Sequence, residues 1–270
     1  MKNVPNVLKI RDIIYETPSV KTFIFDWDMK INGIPKPGEF VMVWNFKNEK
    51  PMAVSFIDKF NNKIGITVKN VGEFTDDIHK LSIGDKLGIR GFYGNGFNTD
   101  LTDKKILAIG AGVGMGPIKA FALDSILKNL DLDILIAAVT KEELLFVDDL
   151  KNKGFNVSTC TNDGTCGFKG YATDKAIDLL KNNNYDEVIV CGPEGMMIEI
   201  FDLFEKHNIN GQYSMERYMK CAIGICGQCC VDNTGWRICV EGPVFSSEDL
   251  KKINEFGKYK RDAKGTKKHY

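Results

Sequence analysis

Five of the eight cysteines in this 270-residue chain crowd between Cys221 and Cys239, and that crowding constrains the fold more than any other feature. Many cysteines in a short secreted chain mean a disulfide framework. Here they gather in one late segment, with Cys229 and Cys230 adjacent, which looks more like metal ligation. Cys221, Cys226, Cys229 and Cys239 follow the Cys-x4-Cys-x2-Cys…Cys order of plant-type [2Fe-2S] ligands. The small residues Ala222, Gly224 and Gly227 leave room for backbone N–H groups to turn toward cluster sulfurs. The alternatives are buried structural thiols and a zinc site. Zinc typically takes two short cysteine pairs, and Cys226 with Cys229 is the one clear pair. Cys230 should point away from its neighbour if this stretch is extended, and so reads as packing, while Cys160 and Cys166 read as ordinary thiols.

The rest of the chain has two textures. Up to about residue 100, short β-rich runs (20–25, 40–44, 53–57, 63–68 and 86–89) are separated by Gly, Pro, Asn and Asp, which suggests an antiparallel barrel or sandwich. From Lys104, apolar runs such as KKILAIGAG, LDILIAAV and DEVIVCG alternate with helical stretches, the pattern of a doubly wound parallel sheet. The expected class is therefore multidomain β plus α/β. A β domain spans residues 1–100, an α/β domain 101–212, a cysteine-rich module 213–248 and a basic polar tail 249–270. The module is too small to fold on a hydrophobic core of its own. Its last twenty residues, Lys251 to Tyr270, hold eight Lys or Arg against Glu255 and Asp262, and the tail is expected to be a solvated, fraying end or else a docking patch.

Lys plus Arg and Asp plus Glu both number 36, so no net field favours nucleic acid or an anionic membrane. The apolar run 106–118 is shorter than the roughly 20 residues of a membrane span, and the N-terminus lacks a signal-peptide core, so a cytoplasmic protein is expected. His79, His207 and His269 lie in no motif with a nucleophile to activate, and no catalytic acid–base residue is expected.

Gly110, Gly112, Gly114 and Gly116 lie between a strand and a helix, where they permit close approach of a diphosphate to a helix start. Cys191, Gly192 and Pro193 end another strand, so the two turns should form one ligand crevice at the carboxyl edge of the sheet. CTNDGT (160–165) is a third edge or merely a polar turn. In the β-rich half, Lys50, Ser55, Gly72 and Thr75 suggest an anion site, and the run Gly91 to Phe97 is richer in glycine and aromatics than an ordinary turn.

This order of parts resembles the ferredoxin-reductase-like flavoproteins, and within them the electron-transfer subunits of class 1B dihydroorotate dehydrogenase. The resemblance runs from about Pro5 to Phe245 and is most specific in MKCAIGICGQCCV and RICVEGPVF. It implies a [2Fe-2S] cluster on Cys221, Cys226, Cys229 and Cys239. It also implies FAD at the family's Arg-Pro-x-Ser motif, which maps onto Lys50, Pro51, Met52 and Ala53. Lys50 keeps the charge without the arginine fork. Ala53 lacks the hydroxyl, leaving Ser55 as the nearest substitute. Further FAD contacts are implied at Gly72, Thr75, Gly94, Asn95, Gly96 and Phe97, and NAD at Gly110 to Pro117 and Cys191-Gly192-Pro193. The implied partner is an FMN-containing dihydroorotate dehydrogenase catalytic subunit, two of each chain forming a heterotetramer in pyrimidine biosynthesis. The same layout serves reductase subunits of hydrogenases, sulfide dehydrogenases and ferredoxin:NADP transhydrogenases. A zinc-stabilised nucleotide sensor is the non-enzymatic alternative.

Overall fold

The computed structural model describes residues 3–270. Six strands close into an antiparallel barrel: β1 (Asn6–Thr17), β2 (Val20–Asp26), β3 (Phe40–Trp44), β4 (Glu49–Asp58), β5 (Lys63–Lys69) and β6 (Lys86–Tyr93). Their order is β1-β2-β5-β4-β3-β6, and β1 pairs back onto β6. Two short helices, α1 (Met29–Asn32) and α2 (Glu73–His79), lie in the connections. Residues two apart share a face of a strand, and Phe23 with Phe25, Val41 with Val43, and Ile64 with Ile66 fill the barrel accordingly. β1 escapes the sequence pattern because Val7, Ile14 and Tyr15 are exposed and only Ile10 is fully inside.

The second sheet has the order β10-β9-β8-β7-β11-β12-β13. Its strands are β7 (Lys105–Ala111), β8 (Asp131–Ala138), β9 (Asn156–Thr161), β10 (Phe168–Lys169), β11 (Glu187–Cys191), β12 (Asn210–Ser214) and β13 (Val244–Ser246). All pairs are parallel except β12 with β13. Helices α3 (Met115–Lys128) and α4 (Val147–Asn152) cover one face, and α5 (Ala172–Leu180) and α6 (Glu194–Lys206) the other. Such double cover explains the continuous apolar strands: Ile106 and Ala108 face α3, whereas Leu107 and Ile109 face the α6 side.

Two expectations change. The cysteine-rich segment packs into the α6-side core through Met215, Met219, Val231, Ile238 and Phe245, and β13 extends the sheet, so the boundary expected at residue 212 falls inside β12. The tail is not a solvated, fraying end. After α7 (Ser247–Leu250), Ile253 and Phe256 are buried in the same core, and β14 (Tyr259–Arg261) pairs with β15 (Lys267–His269). Charge composition concealed these anchors, because the buried residues are few and set among lysines.

Candidate functional site

The cysteine loop leaves the sheet after β12 and returns at β13, its base closed by the Ser214–Val244 pair. The backbone reverses at Ala222, Gly224 and Gly227, all at positive φ. The four thiols fall into two couples. The Cys226 N–H points at Cys221 Sγ (3.5 Å), and the Cys239 N–H points at Cys229 Sγ (3.4 Å). Burial works to raise the Cys221 thiol, but the converging N–H groups of Cys226, Ile223 and Ile225 bring it down to about 6. Burial, with the contact to Cys229, pushes Cys239 up to about 12. Cys226 is exposed, with Ile225 79% exposed beside it, whereas Cys229 and Cys239 are buried. Among the described residues, no three His, Cys, Asp or Glu side chains converge on one point. Two couples of thiols with inward N–H groups fit the chemistry of a two-iron cluster, which takes two protein ligands on each iron.

The glycine turn after β7 and the Cys191-Gly192-Pro193 turn after β11 meet where the strand order reverses, the usual crevice of an open α/β sheet. Gly114 makes the meeting possible, since a Cβ there would lie 2.5 Å from the Cys191 carbonyl oxygen. Gly110 packs on Met115, Gly112 faces open space, and Gly116 lies against Ser55 of the barrel. The CTNDGT segment is a self-satisfied turn. Thr161 bonds the Cys166 backbone, and Asp163 receives hydrogen bonds from the Thr165 N–H and hydroxyl.

On the barrel, Lys50 Nζ sits 4.9 Å from the centre of the Tyr218 ring, in the cysteine segment, and Pro51 follows it on β4. Ser55 departs from expectation. It is buried, donates to Gly65 O (3.3 Å) and accepts from Thr67 Oγ1 (2.8 Å), so its hydroxyl serves the barrel wall rather than an open cleft. Thr75 Oγ1 accepts from the Val71 and Gly72 N–H groups and shapes the start of α2. The run Gly94 to Phe97 docks on the end of the cysteine segment. Asn95 donates from its backbone to Gly242 O (2.6 Å) and from its side chain to Glu241 O (2.8 Å). Gly94, at φ +74°, has Gly242 O 2.6 Å from where a Cβ would stand. The Phe97 N–H bonds Pro37 O, a Cβ on Gly96 would strike that same oxygen, and the Phe97 ring meets Phe121 of α3 edge-on.

Two arginines that no sequence motif flagged tie the parts together. Arg90 grips Glu49 and reaches Cys221 O (3.2 Å). Arg217 is buried between Glu194, directly after Pro193, and Glu255 in the tail. Glu255 also receives the Asp232 N–H, and Glu194 receives the Gly257 N–H and the Tyr270 hydroxyl. A cavity of about 340 Å³ lies elsewhere, at the amino ends of β11 and β12 beside Glu187 and Gln212. No helix of the described residues is long and apolar enough to cross a membrane.

Residues 216–251 match the iron-sulfur cluster binding domain of dihydroorotate dehydrogenase B. Over 97% of both chains, 52% of residues are identical to a Methanothermobacter thermautotrophicus protein named probable dihydroorotate dehydrogenase B (NAD(+)), electron transfer subunit. A Methanocaldococcus jannaschii protein of the same name is 44% identical over 98% of this chain and 99% of its own. A chain in the structure of NADH-dependent reduced ferredoxin-NADP oxidoreductase superposes with a TM-score of 0.79 at 24% identity, covering 93% of this chain and 94% of that one, and supports the fold. With a barrel, a doubly wound sheet and a four-cysteine loop in one order and relatives matched end to end, the chain belongs to the family of dihydroorotate dehydrogenase B electron transfer subunits.

Proposed function

We infer that this chain carries electrons between an FMN-containing dihydroorotate dehydrogenase subunit and NAD+, using a [2Fe-2S] cluster on Cys221, Cys226, Cys229 and Cys239 and an FAD at the barrel rim. The observation that carries the reading is the arrangement of the four thiols as two couples in a loop that touches both the barrel and the α/β sheet. A nicotinamide exchanges two electrons as hydride and a [2Fe-2S] cluster passes one, and FAD supplies the chemistry that converts between them.

The protein's part is binding and exclusion of water. Gly110, Gly112, Gly114 and Gly116, with Cys191, Gly192 and Pro193, shape the nicotinamide crevice. Lys50, Pro51, Gly72, Thr75 and the turn Gly94 to Phe97 frame the FAD, Lys50 supplying a cation and the turn fixing the barrel against the cluster loop. The Ser55 hydroxyl drops out of that set because it is bonded within the barrel wall, whereas Gly72 and Thr75, whose hydroxyl is likewise bonded, contribute the backbone at the start of α2. The exposed Cys226, with Ile223, Ile225 and Val240 around the loop, offers an apolar rim of the kind a partner subunit covers. Two of each chain would make the assembly.

The test is anaerobic purification followed by a visible spectrum, metal analysis and titration with NADH. Bound FAD, about two irons per chain and bleaching by NADH are expected. So is reduction by dihydroorotate once the FMN-containing subunit is added. A colourless zinc protein without flavin would overturn the reading. Reduction by sulfide or ferredoxin in place of dihydroorotate would move the chain to another reductase complex.

A further inference from the structure

Beyond the shared apolar core, three polar or cation–π contacts among the described residues tie the barrel side to the cysteine segment: Lys50 over Tyr218, Asn95 on Glu241 and Gly242, and Arg90 on Cys221. Only the last brings a charged side chain to a residue that holds one of the four thiols. The Arg90 side chain is 10% exposed. Its Nε and Nη2 each lie 2.6 Å from an oxygen of Glu49, and Nη1 bonds both Tyr93 Oη (2.9 Å) and Cys221 O (3.2 Å). A guanidinium held in a two-pronged grip cannot swing away, so its position relative to the Cys221 backbone is fixed by the barrel.

We propose that Arg90, oriented by Glu49, is a positioning residue for the cluster. It pins the Cys221 end of the loop to the barrel and places a buried cation whose charge favours the reduced state. This rests on the reading of the four cysteines as [2Fe-2S] ligands. The charges sit in a fixed order, with the cation toward Cys221 and the carboxylate behind it. Removing the cation leaves a carboxylate whose negative charge opposes an added electron. Removing the carboxylate's charge leaves the cation unopposed. Burial weakens screening of both effects by salt. The two substitutions must therefore displace the cluster potential in opposite directions, which a merely structural contact does not do.

The experiment is a redox titration, followed by electron paramagnetic resonance, of the full chain carrying FAD and cluster. Arg90→Met should lower the cluster midpoint by about 59 mV, a tenfold change in a one-electron equilibrium. Glu49→Gln should raise it, and Arg90→Lys should restore most of the wild-type value. Should Arg90→Met fail to take up iron, Glu49→Gln and Arg90→Lys decide the matter alone. Unchanged potentials, or shifts of the same sign in the Arg90 and Glu49 variants, overturn the proposal. A wild-type chain that binds no two-iron cluster refutes the underlying reading instead, and its iron content shows this before any variant is made.

Discussion

Cys226 shows how much one position can carry. It is the exposed member of its couple, and its N–H also points at Cys221 Sγ. Cys226→Ser is expected to abolish the cluster absorbance while leaving FAD bound, because Cys226 is exposed on the loop while the FAD set lies on the barrel side. Iron and flavin counts on the purified variant check this, and joint loss of both would show that the two sites are not separable. The gathering of the cysteines in one loop was legible in the sequence because all five stand within a short stretch of the chain. Arg90 was not, because the two partners that give it its role, Glu49 and Cys221, stand 41 and 131 residues away. Ser55 failed for a related reason. Strand position placed it near the motif, but only the packed barrel shows its hydroxyl committed to Gly65 and Thr67.

Among the elements, β7, β11 and their turns were the clearest, since apolar strands ending in glycine have few other uses. Their junction depends on Gly114. An added methyl would sit 2.5 Å from Cys191 O and 2.8 Å from the Gly192 Cα, both backbone atoms with little freedom to yield. Gly114→Ala should strain the crevice by about 1–3 kcal/mol, raising the NADH KM roughly 5- to 150-fold with FAD content unchanged, as steady-state kinetics would reveal. The β14–β15 hairpin was hidden by its charge, and its anchor is electrostatic. Asp232 accepts from the Tyr259 hydroxyl and pairs with Arg261, and these hold its carboxyl below the ordinary 3.8. A depressed folded value means that this stabilisation is complete above pH 3.8 and disappears as pH falls through the lower folded value. Hydrogen exchange should therefore show the hairpin amides protected at neutral pH and released only in stronger acid. Asp232→Asn should expose them at pH 7.

At the scale of the whole molecule, one buried point joins three separate parts of the chain: Arg217, in the cysteine segment, binds Glu194 at the start of α6 and Glu255 in the tail. Removing the cation strands two carboxylates with side chains 4% and 1% exposed. Arg217→Met is expected to cost about 3–5 kcal/mol, read as a lower denaturation midpoint, and Arg217→Lys should recover only part because it lacks the fork. The layout of barrel, sheet and cluster segment was legible from texture alone, whereas this knot was not, since its members are charged residues scattered over the last third of the chain. The base of the cysteine loop bears on how the protein matures. Ser214 and Val244 pair, and the Met215 N–H bonds Pro243 O, so the sheet itself brings the two ends of the loop together. Strand pairing at the root contributes to offsetting the entropy of closing that span, without drawing on a metal. Iron and sulfide can accordingly be delivered after the polypeptide has folded, into a mouth already drawn shut at its root, with only the local arrangement of the thiols left to complete.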